Sequence, residues 1–265
     1  MRLIRLVALF VSALLFGCGG GGQSQTVPVV GTISATAISS TNTGLAYDVK
    51  VWLPEGYSQS TARYPVIYAM DCEYRFDTLT QVLQNRSNKL ILINVCAMGS
   101  ARRWIDFTMP GATSYYNFLT LELIPFVDAR YRTDIANRTL TGHSLSGQFV
   151  LYALYLENPT NRYFTSIVSE ECSCWYDAAH NFSQLLSQPI AMEQAMYQAS
   201  HQLPINLVMA GDIYSNQIMV AAAYATIATR NYQFLRSTQS VYGLGHVGMD
   251  GQAFKDALVF IFGTN

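Results

Sequence analysis

The sequence has 265 residues, of which 50% are apolar and 12% are charged, and its formal net charge is −1. A chain of this length and composition can bury a large core in one globular domain. With 16 Lys and Arg residues and no basic run, it has no charge pattern that would follow the phosphates of a nucleic acid, which argues against nucleic-acid binding.

The first 18 residues have the pattern of an export signal. Arg2 and Arg5 form a short basic start, and residues 6–16 are an apolar run. This run is too short to cross a bilayer as a stable helix, but its length is typical of a cleaved signal sequence. We therefore predict a signal peptide over residues 1–18.

The signal ends in Gly17 and Cys18, which resembles the lipobox of bacterial lipoproteins, where cleavage leaves a lipid-carrying Cys at the N-terminus. Gly19 at the next position resembles the outer-membrane sorting pattern. We expect residues 19–27, rich in Gly, Ser and Gln, to form a flexible tether. The protein is then exported and lipid-anchored through Cys18, at the outer membrane, in the periplasm or at the cell surface. An ordinary signal with an incidental Cys18 is the alternative.

The rest of the chain, residues 28–265, alternates strand and helix patterns in one domain. Residues 45–53 alternate apolar and polar side chains, which predicts an antiparallel strand with one solvated face. Continuous apolar runs typical of buried strands occupy residues 64–70 and 90–95, and residues 139–141, 164–168, 205–210 and 240–242 complete the series of predicted buried strands. Helical patterns occupy residues 115–131, 147–156, 219–229 and 254–262. This order predicts an α/β fold, with a mostly parallel central sheet flanked by helices on both faces.

Residues 142–147, Gly-His-Ser-Leu-Ser-Gly, stand where a buried strand turns into a helix. A Ser between small residues at such a turn is typical of the nucleophile elbow, in which a strained backbone exposes the hydroxyl above the sheet. Ser146 occupies the place of the usual last Gly, and Gly147 follows it. Ser146 is small enough for that position, so the motif is preserved. We therefore interpret Ser144 as a catalytic nucleophile; an ordinary strand–helix turn is the alternative.

An ordered set of motifs over most of residues 45–262 resembles the putative-esterase (esterase D-like) family of the α/β-hydrolases, which includes siderophore and feruloyl esterases. The segments that carry the likeness are Val-Trp-Leu-Pro-Glu-Gly-Tyr at 51–57, the strand ending in Asp at 64–71, Arg-Trp-Ile-Asp-Phe-Thr-Met-Pro at 103–110, Glu-Leu-Ile-Pro at 122–125, Tyr-Arg at 131–132, Glu-Asn-Pro at 157–159 and Trp-Tyr at 175–176. The resemblance implies the α/β-hydrolase fold and ester hydrolysis with neither a metal nor an organic cofactor.

Acyl transfer by a Ser needs a base, and this fold places its His after the nucleophile. Three His follow Ser144, and His180 and His201 lie in polar segments. His246 lies in a Gly-flanked loop after the last predicted strand, where the family has its catalytic His. We predict His246 as the general base, with a purely structural His as the alternative. His143, next to the nucleophile, is given no role in proton transfer.

The orienting acid is less clearly marked. Asp212 ends a predicted strand and precedes His246, so we predict it as the acid. Many family members carry the acid two positions later, where this chain has Tyr214. Glu170 and Glu171 after the elbow, Asp250 after the His, or a Ser–His pair without an acid are the alternatives.

Two backbone N–H groups are expected to bind the oxyanion. One belongs to Leu145, directly after the nucleophile. By resemblance, the other belongs to Glu73, in the loop after residues 64–70.

Four Cys remain beyond Cys18. In the implied fold, Cys72 and Cys96 follow neighbouring strands, so a bridge between them is possible. Cys172 and Cys174 lack the partners of a zinc site and are expected to be free or bridged structural thiols.

The sequence therefore predicts a serine carboxylesterase that forms an acyl-enzyme on Ser144, with a small-molecule or carbohydrate-linked ester as substrate. Acyl transfer to an acceptor other than water, and a catalytically silent, surface-tethered binding protein, are the alternatives. The sequence does not indicate which ester is cleaved.

Overall fold

The computed structural model describes residues 31–174 and 187–264. The predicted signal, the tether, the Trp-Tyr pair at 175–176 and His180 lie outside the described residues. Within the described part of the chain, no helix is long and apolar enough to cross a membrane.

Eight strands and eight α-helices form the described domain. The strands are β1 Thr32–Ser39, β2 Ala46–Leu53, β3 Tyr64–Met70, β4 Ile91–Val95, β5 Thr133–His143, β6 Ser166–Glu170, β7 Asn206–Asp212 and β8 Arg236–Tyr242. The helices are α1 Cys72–Gln84, α2 Ser100–Asp106, α3 Gly111–Asn117, α4 Ile124–Arg130, α5 Leu145–Leu156, α6 Ser187–Ala199, α7 Gln217–Ala228 and α8 Asp250–Phe262. A 3₁₀ turn covers Tyr57–Gln59, and a π-helical turn at Phe118–Leu123 joins α3 to α4.

All eight strands belong to one sheet, in the order β1-β2-β4-β3-β5-β6-β7-β8. The first two strands pair antiparallel, β2 is antiparallel to β4, and every later pairing is parallel. This is the mostly parallel sheet that the sequence predicts. Strand β1 was not predicted because it lies at the edge, largely exposed, and lacks an apolar pattern. Strand β8 was predicted as buried but forms the opposite edge and is mostly half-buried.

The two faces of the sheet pack against different helices because successive strand residues point to opposite sides. On one face, Tyr68 of β3 joins a core that includes Phe149 of α5. On the other face, Ile67 contributes to a core with Leu79 of α1 and Phe254 of α8. The continuous apolar run of β3 is thus covered on both sides, as its composition predicts.

The carboxyl ends of five strands bring the chemically important residues to one edge of the sheet. Asp71 follows β3, Ser144 follows β5 and Glu171 follows β6. Asp212 ends β7, and the chain leaves β8 toward His246. Ligand sites of open α/β sheets lie at this edge, so the fold collects the predicted site residues there.

Candidate active site

The turn between β5 and α5 has the strained backbone of a nucleophile elbow. Ser144 has φ 60° and ψ −118°, a region that residues with a Cβ rarely adopt. Two glycines make the turn possible. A Cβ on Gly142 would lie 2.2 Å from the Ser146 carbonyl oxygen, and one on Gly147 would lie 2.7 Å from the Glu170 carbonyl oxygen. The local sequence therefore fixes where the Ser144 hydroxyl stands.

Ser146, which replaces the usual last Gly of the motif, connects the elbow to the end of β3. Its buried hydroxyl accepts a hydrogen bond from the His143 N–H at 2.9 Å and donates one to Asp71 Oδ2 at 2.7 Å. Asp71 in turn accepts two bonds from the Arg103 guanidinium, at 2.8 and 2.9 Å. The substitution thus adds a fixed polar link rather than loosening the turn.

Ser144 and His246 line the same cavities at the carboxyl edge of the sheet. Together with Arg103 they line two adjacent cavities of about 240 and 340 Å³. Within the described residues, the Ser144 hydroxyl has its side-chain contact with Ser173, at 3.1 Å between the two Oγ atoms, and does not bond directly to the His246 imidazole. The predicted nucleophile and base therefore line one pocket, and the Ser144 hydroxyl contacts Ser173.

Among the described residues, Glu171 is the carboxylate that pairs with the His246 imidazole. Its Oε1 lies 3.7 Å from His246 Nδ1, and its side chain is fully buried. It also accepts bonds from the Asp212 N–H, the Asn216 N–H and the Ser215 hydroxyl. Burial raises the pKa of Glu171, but the nearby His246 and the hydrogen bonds from Ser215 and the two N–H groups outweigh it and leave the pKa below its usual value. The carboxylate is therefore ionised and faces the base.

Asp212, the predicted acid, instead supports the backbone of the loop that carries His246, residues 243–249, called here the histidine loop. Its Oδ2 accepts bonds from the Leu244 and Gly245 N–H groups at 2.7 and 2.9 Å, and its Oδ1 accepts one from the Tyr214 N–H at 2.9 Å. Against the effect of burial, these three donors lower the pKa of Asp212. The geometry thus differs from the prediction, because the loop's N–H groups occupy the carboxylate that the sequence assigns to the imidazole.

The other two carboxylates considered from sequence pair with a buried Arg. Arg75 of α1 bonds to Asp250 through Nε at 3.0 Å and to Glu170 through Nη2. Burial raises the pKa of Glu170 well above its usual value, whereas the attraction of Arg75 outweighs burial for Asp250 and lowers its pKa. Sequence reasoning missed Arg75, whose only signal was a charge on the buried side of an amphipathic helix. This cluster leaves Glu171 as the carboxylate in contact with His246.

His143 supports the same loop from beneath. Its Nε2 lies 2.6 Å from the His246 carbonyl oxygen, and the two rings meet edge to face with centroids 4.8 Å apart. Burial lowers the pKa of His143 to about 4. The ring is therefore neutral at neutral pH, and because a carbonyl only accepts, Nε2 carries the donated proton. His143 thus contacts the histidine loop, and its lack of a role in proton transfer stays a prediction.

The predicted oxyanion donors lie at the starts of two helices. Leu145 is the first residue of α5, where backbone N–H groups lack intrahelical acceptors, and it lines the larger cavity with Ser144. Glu73 lies in the first turn of α1 and lines neither of the two cavities, and its side chain accepts a bond from the Ala97 N–H at 2.8 Å. The use of either N–H group stays a prediction.

Two disulfides brace the segments around the site. The bridge between Cys72 and Cys96 was considered from sequence and is confirmed; it ties the start of α1 to the end of β4. Cys172 and Cys174 bond to each other across Ser173. The four Cys of these bridges are buried, and Cys172 and Cys174 are bridged rather than free, one of the two states expected from sequence.

Comparisons with known proteins agree with this architecture. Residues 40–247 match the model of the family described as putative esterase. The ferri-bacillibactin esterase BesA of Bacillus subtilis is 29% identical over 165 residues, which cover 51% of this chain and 56% of BesA. This chain therefore spans only about half the length of that curated relative.

Two solved structures illustrate the likeness of fold. An IroE-like serine hydrolase from Shewanella oneidensis superposes with a TM-score of 0.68 at 22% identity, covering 86% of this chain and 79% of its own. The siderophore hydrolase EstA from Aspergillus nidulans gives a TM-score of 0.70 at 18% identity, covering 86% of this chain and 93% of its own. The predicted α/β-hydrolase fold is thereby confirmed.

Proposed function

Because this chain belongs to the putative-esterase family, we propose that it is a serine hydrolase of carboxylic esters that works through an acyl-enzyme on Ser144, with His246 as general base and Glu171 as orienting acid. The observation that carries the proposal is the shared pocket. Ser144 on its elbow and His246 line the same two cavities, and the ionised Glu171 faces the Nδ1 side of the imidazole.

In the first half of the reaction, Ser144 Oγ attacks the ester carbonyl while its proton passes to His246 Nε2. The imidazole gains a positive charge at this moment, and the buried Glu171 carboxylate stabilises it from the Nδ1 side. The carbonyl oxygen becomes an oxyanion, for which the free N–H of Leu145 at the start of α5 is the proposed donor. His246 then returns the proton to the leaving alcohol.

In the second half, water replaces the alcohol. His246 takes a proton from the water as it attacks the acyl carbonyl, and returns this proton to Ser144 Oγ as the acid product leaves. The same residues therefore serve twice, and the enzyme regains its starting state.

For the substrate, we propose an ester of the siderophore type. Support comes from BesA, whose name describes a ferri-bacillibactin esterase, and from EstA, described as a siderophore hydrolase. Arg103 lines both cavities beside the nucleophile, where Asp71 holds its guanidinium through two hydrogen bonds. A panel of short acyl, feruloyl, acetylated-sugar and siderophore-lactone esters tests this; a preference for neutral short-chain esters would contradict it.

The reaction itself is tested with p-nitrophenyl acetate and a fluorophosphonate probe. We expect wild-type turnover to survive chelators, and Ser144→Ala to lose both turnover and labelling by at least about a thousandfold. Ser237→Ala is the matched control. Ser237 lies on β8 at the edge of the sheet, and the substitution removes the contact of its hydroxyl with that of Tyr224. Undiminished labelling in Ser144→Ala would exclude the assignment.

We also propose that lipid on Cys18 anchors the exported enzyme, as the lipobox-like pattern indicates. Metabolic labelling with a fatty acid, followed by membrane fractionation, tests this. Label on wild type and none on Cys18→Ser is expected; equal label on both would contradict the anchor.

A further inference from the structure

We propose that Ser173 is a further catalytic residue, whose hydroxyl donates a hydrogen bond to Ser144 Oγ while that oxygen loses and regains its proton. The inference rests on the proposed acyl-enzyme mechanism and adds to it a residue that sequence reasoning did not select. Its starting point is the 3.1 Å contact between the two Oγ atoms.

Ser173 is attached to the nucleophile twice. Besides the contact between hydroxyls, its backbone N–H donates to the Ser144 carbonyl oxygen at 3.0 Å. A side chain held by one hydrogen bond alone can rotate away from its partner. Here the backbone bond holds the two residues close together, so the Ser173 hydroxyl reaches Ser144 Oγ through its side-chain torsion alone.

The segment that carries Ser173 is braced on both sides. Cys172 and Cys174 are buried and bonded to each other, so the chain makes a closed ring around Ser173. Glu171, one residue before this ring, contacts His246. The four-residue segment 171–174 therefore presents a carboxylate to the base and a hydroxyl to the nucleophile, and the disulfide fixes the spacing of the two.

The Ser173 hydroxyl also lies where the reaction takes place. Ser173 lines the 340 Å³ cavity together with Ser144, Leu145 and His246. The residue is half-buried rather than enclosed, so its hydroxyl borders the space that a bound ester would fill.

The chemistry follows from the charge on Ser144 Oγ. When His246 removes the proton, the oxygen carries negative charge until its bond to the carbonyl carbon is complete. When the acyl-enzyme breaks down, the oxygen gains negative charge again before His246 protonates it. A hydroxyl that donates to Oγ stabilises the charge in both steps and keeps its own proton throughout. It also leaves the Ser144 proton free to point at His246.

The test compares Ser173→Ala, which removes the hydroxyl, with Ser173→Thr, which keeps it. Ser237→Ala is again the control, because its hydroxyl makes one bond of 3.0 Å to Tyr224 at a distance from the nucleophile. For each variant, kcat/KM with p-nitrophenyl acetate, the rate of fluorophosphonate labelling at Ser144 and the melting temperature are measured.

We expect Ser173→Ala to lower kcat/KM and the labelling rate by about tenfold, as the loss of one hydrogen bond to a charged oxygen implies. The melting temperature should stay near that of wild type, and Ser173→Thr should recover most of the rate. Activity of Ser173→Ala equal to wild type would overturn the proposal. So would losses of the same size in both variants that follow a fall in melting temperature, since these indicate a structural role.

The result is separable from the proposed mechanism. If wild type shows no turnover that depends on Ser144, the acyl-enzyme itself is wrong. If turnover depends on Ser144 and Ser173→Ala is as fast as wild type, only the role of Ser173 is wrong.

Discussion

The nucleophile elbow, residues 142–147, and the histidine loop, residues 243–249, hold the two reacting groups by different means. The elbow is buried apart from the half-buried Ser144, and it lies between β5 and α5. The histidine loop is mostly exposed, and His246 keeps 39% of its side-chain surface open. The backbone itself places the nucleophile, whereas the base depends on supports that come from elsewhere in the chain.

Three side chains supply those supports, and each lies at or just after the end of a different strand. Asp212 binds two N–H groups of the loop, His143 lies within bonding distance of the His246 carbonyl, and Glu171 faces the imidazole. Each contact joins residues far apart in sequence. The comparison teaches that changes in the elbow should abolish the site, whereas changes around the loop should alter its rate and pH dependence.

The largest effect is expected from a methyl group added to the elbow. In Gly142→Ala, the new Cβ would lie 2.2 Å from the Ser146 carbonyl oxygen, so the turn cannot keep its shape. We expect kcat/KM to fall by roughly a hundredfold or more and the free energy of unfolding to fall by about 3 kcal/mol. Esterase assays and urea unfolding measure the two.

The matched control is a glycine of the histidine loop. In Gly243→Ala, the nearest atom to the new Cβ is Ile213 Cδ1 at 3.4 Å, an ordinary van der Waals contact. This variant should keep its activity within about twofold. Equal losses in Gly142→Ala and Gly243→Ala would show that the two regions do not differ in the way proposed.

The second prediction separates two carboxylates at the histidine loop. Glu171→Gln keeps the size of the side chain but removes the charge that faces His246, so kcat should fall by about a hundredfold with little change in KM. Asp212→Asn keeps one oxygen for the loop N–H groups, so we expect only about a tenfold loss, with a lower melting temperature.

Kinetics with p-nitrophenyl acetate and thermal unfolding of both variants provide the measurement. The order of the two effects decides which carboxylate orients the base. A larger loss of kcat in Asp212→Asn than in Glu171→Gln would return the role to the acid first predicted from sequence.

The same contrast explains how much of the site could be predicted from sequence. Every element of the elbow is local, because a buried strand, a small-residue turn and an apolar helix follow one another, so Ser144 could be found from the pattern. His246 was found from its Gly-flanked position after the last strand. These features depend on neighbours in the chain and on the order of elements that the fold imposes.

The identity of the acid could not be read in this way. Several carboxylates lie at the same edge of the sheet, and sequence spacing does not show which one faces the imidazole. The backbone decides it. Glu171 has φ 49° and a buried side chain that lies 3.7 Å from His246, while the carboxylate of Asp212 accepts bonds from loop N–H groups. The contact of Ser173 with the nucleophile also depends on tertiary packing, and no local pattern indicates it.

Among the three side chains that support the histidine loop, His143 is expected to have the smallest effect on activity. The pKa of this buried ring is about 4, below its ordinary 6.5, because burial disfavours the charged form. Between these two values the unfolded chain binds a proton that the folded protein does not, so stability falls as the pH is lowered through this window.

His143→Gln keeps an N–H donor for the His246 carbonyl but does not titrate. Its activity at neutral pH should stay within about threefold of wild type, and from about pH 7.5 to about pH 4 it should lose about 3 kcal/mol less unfolding free energy than wild type. Urea unfolding of both proteins across this range measures the difference, and parallel profiles would show that the ring does not hold its neutral form in the folded state.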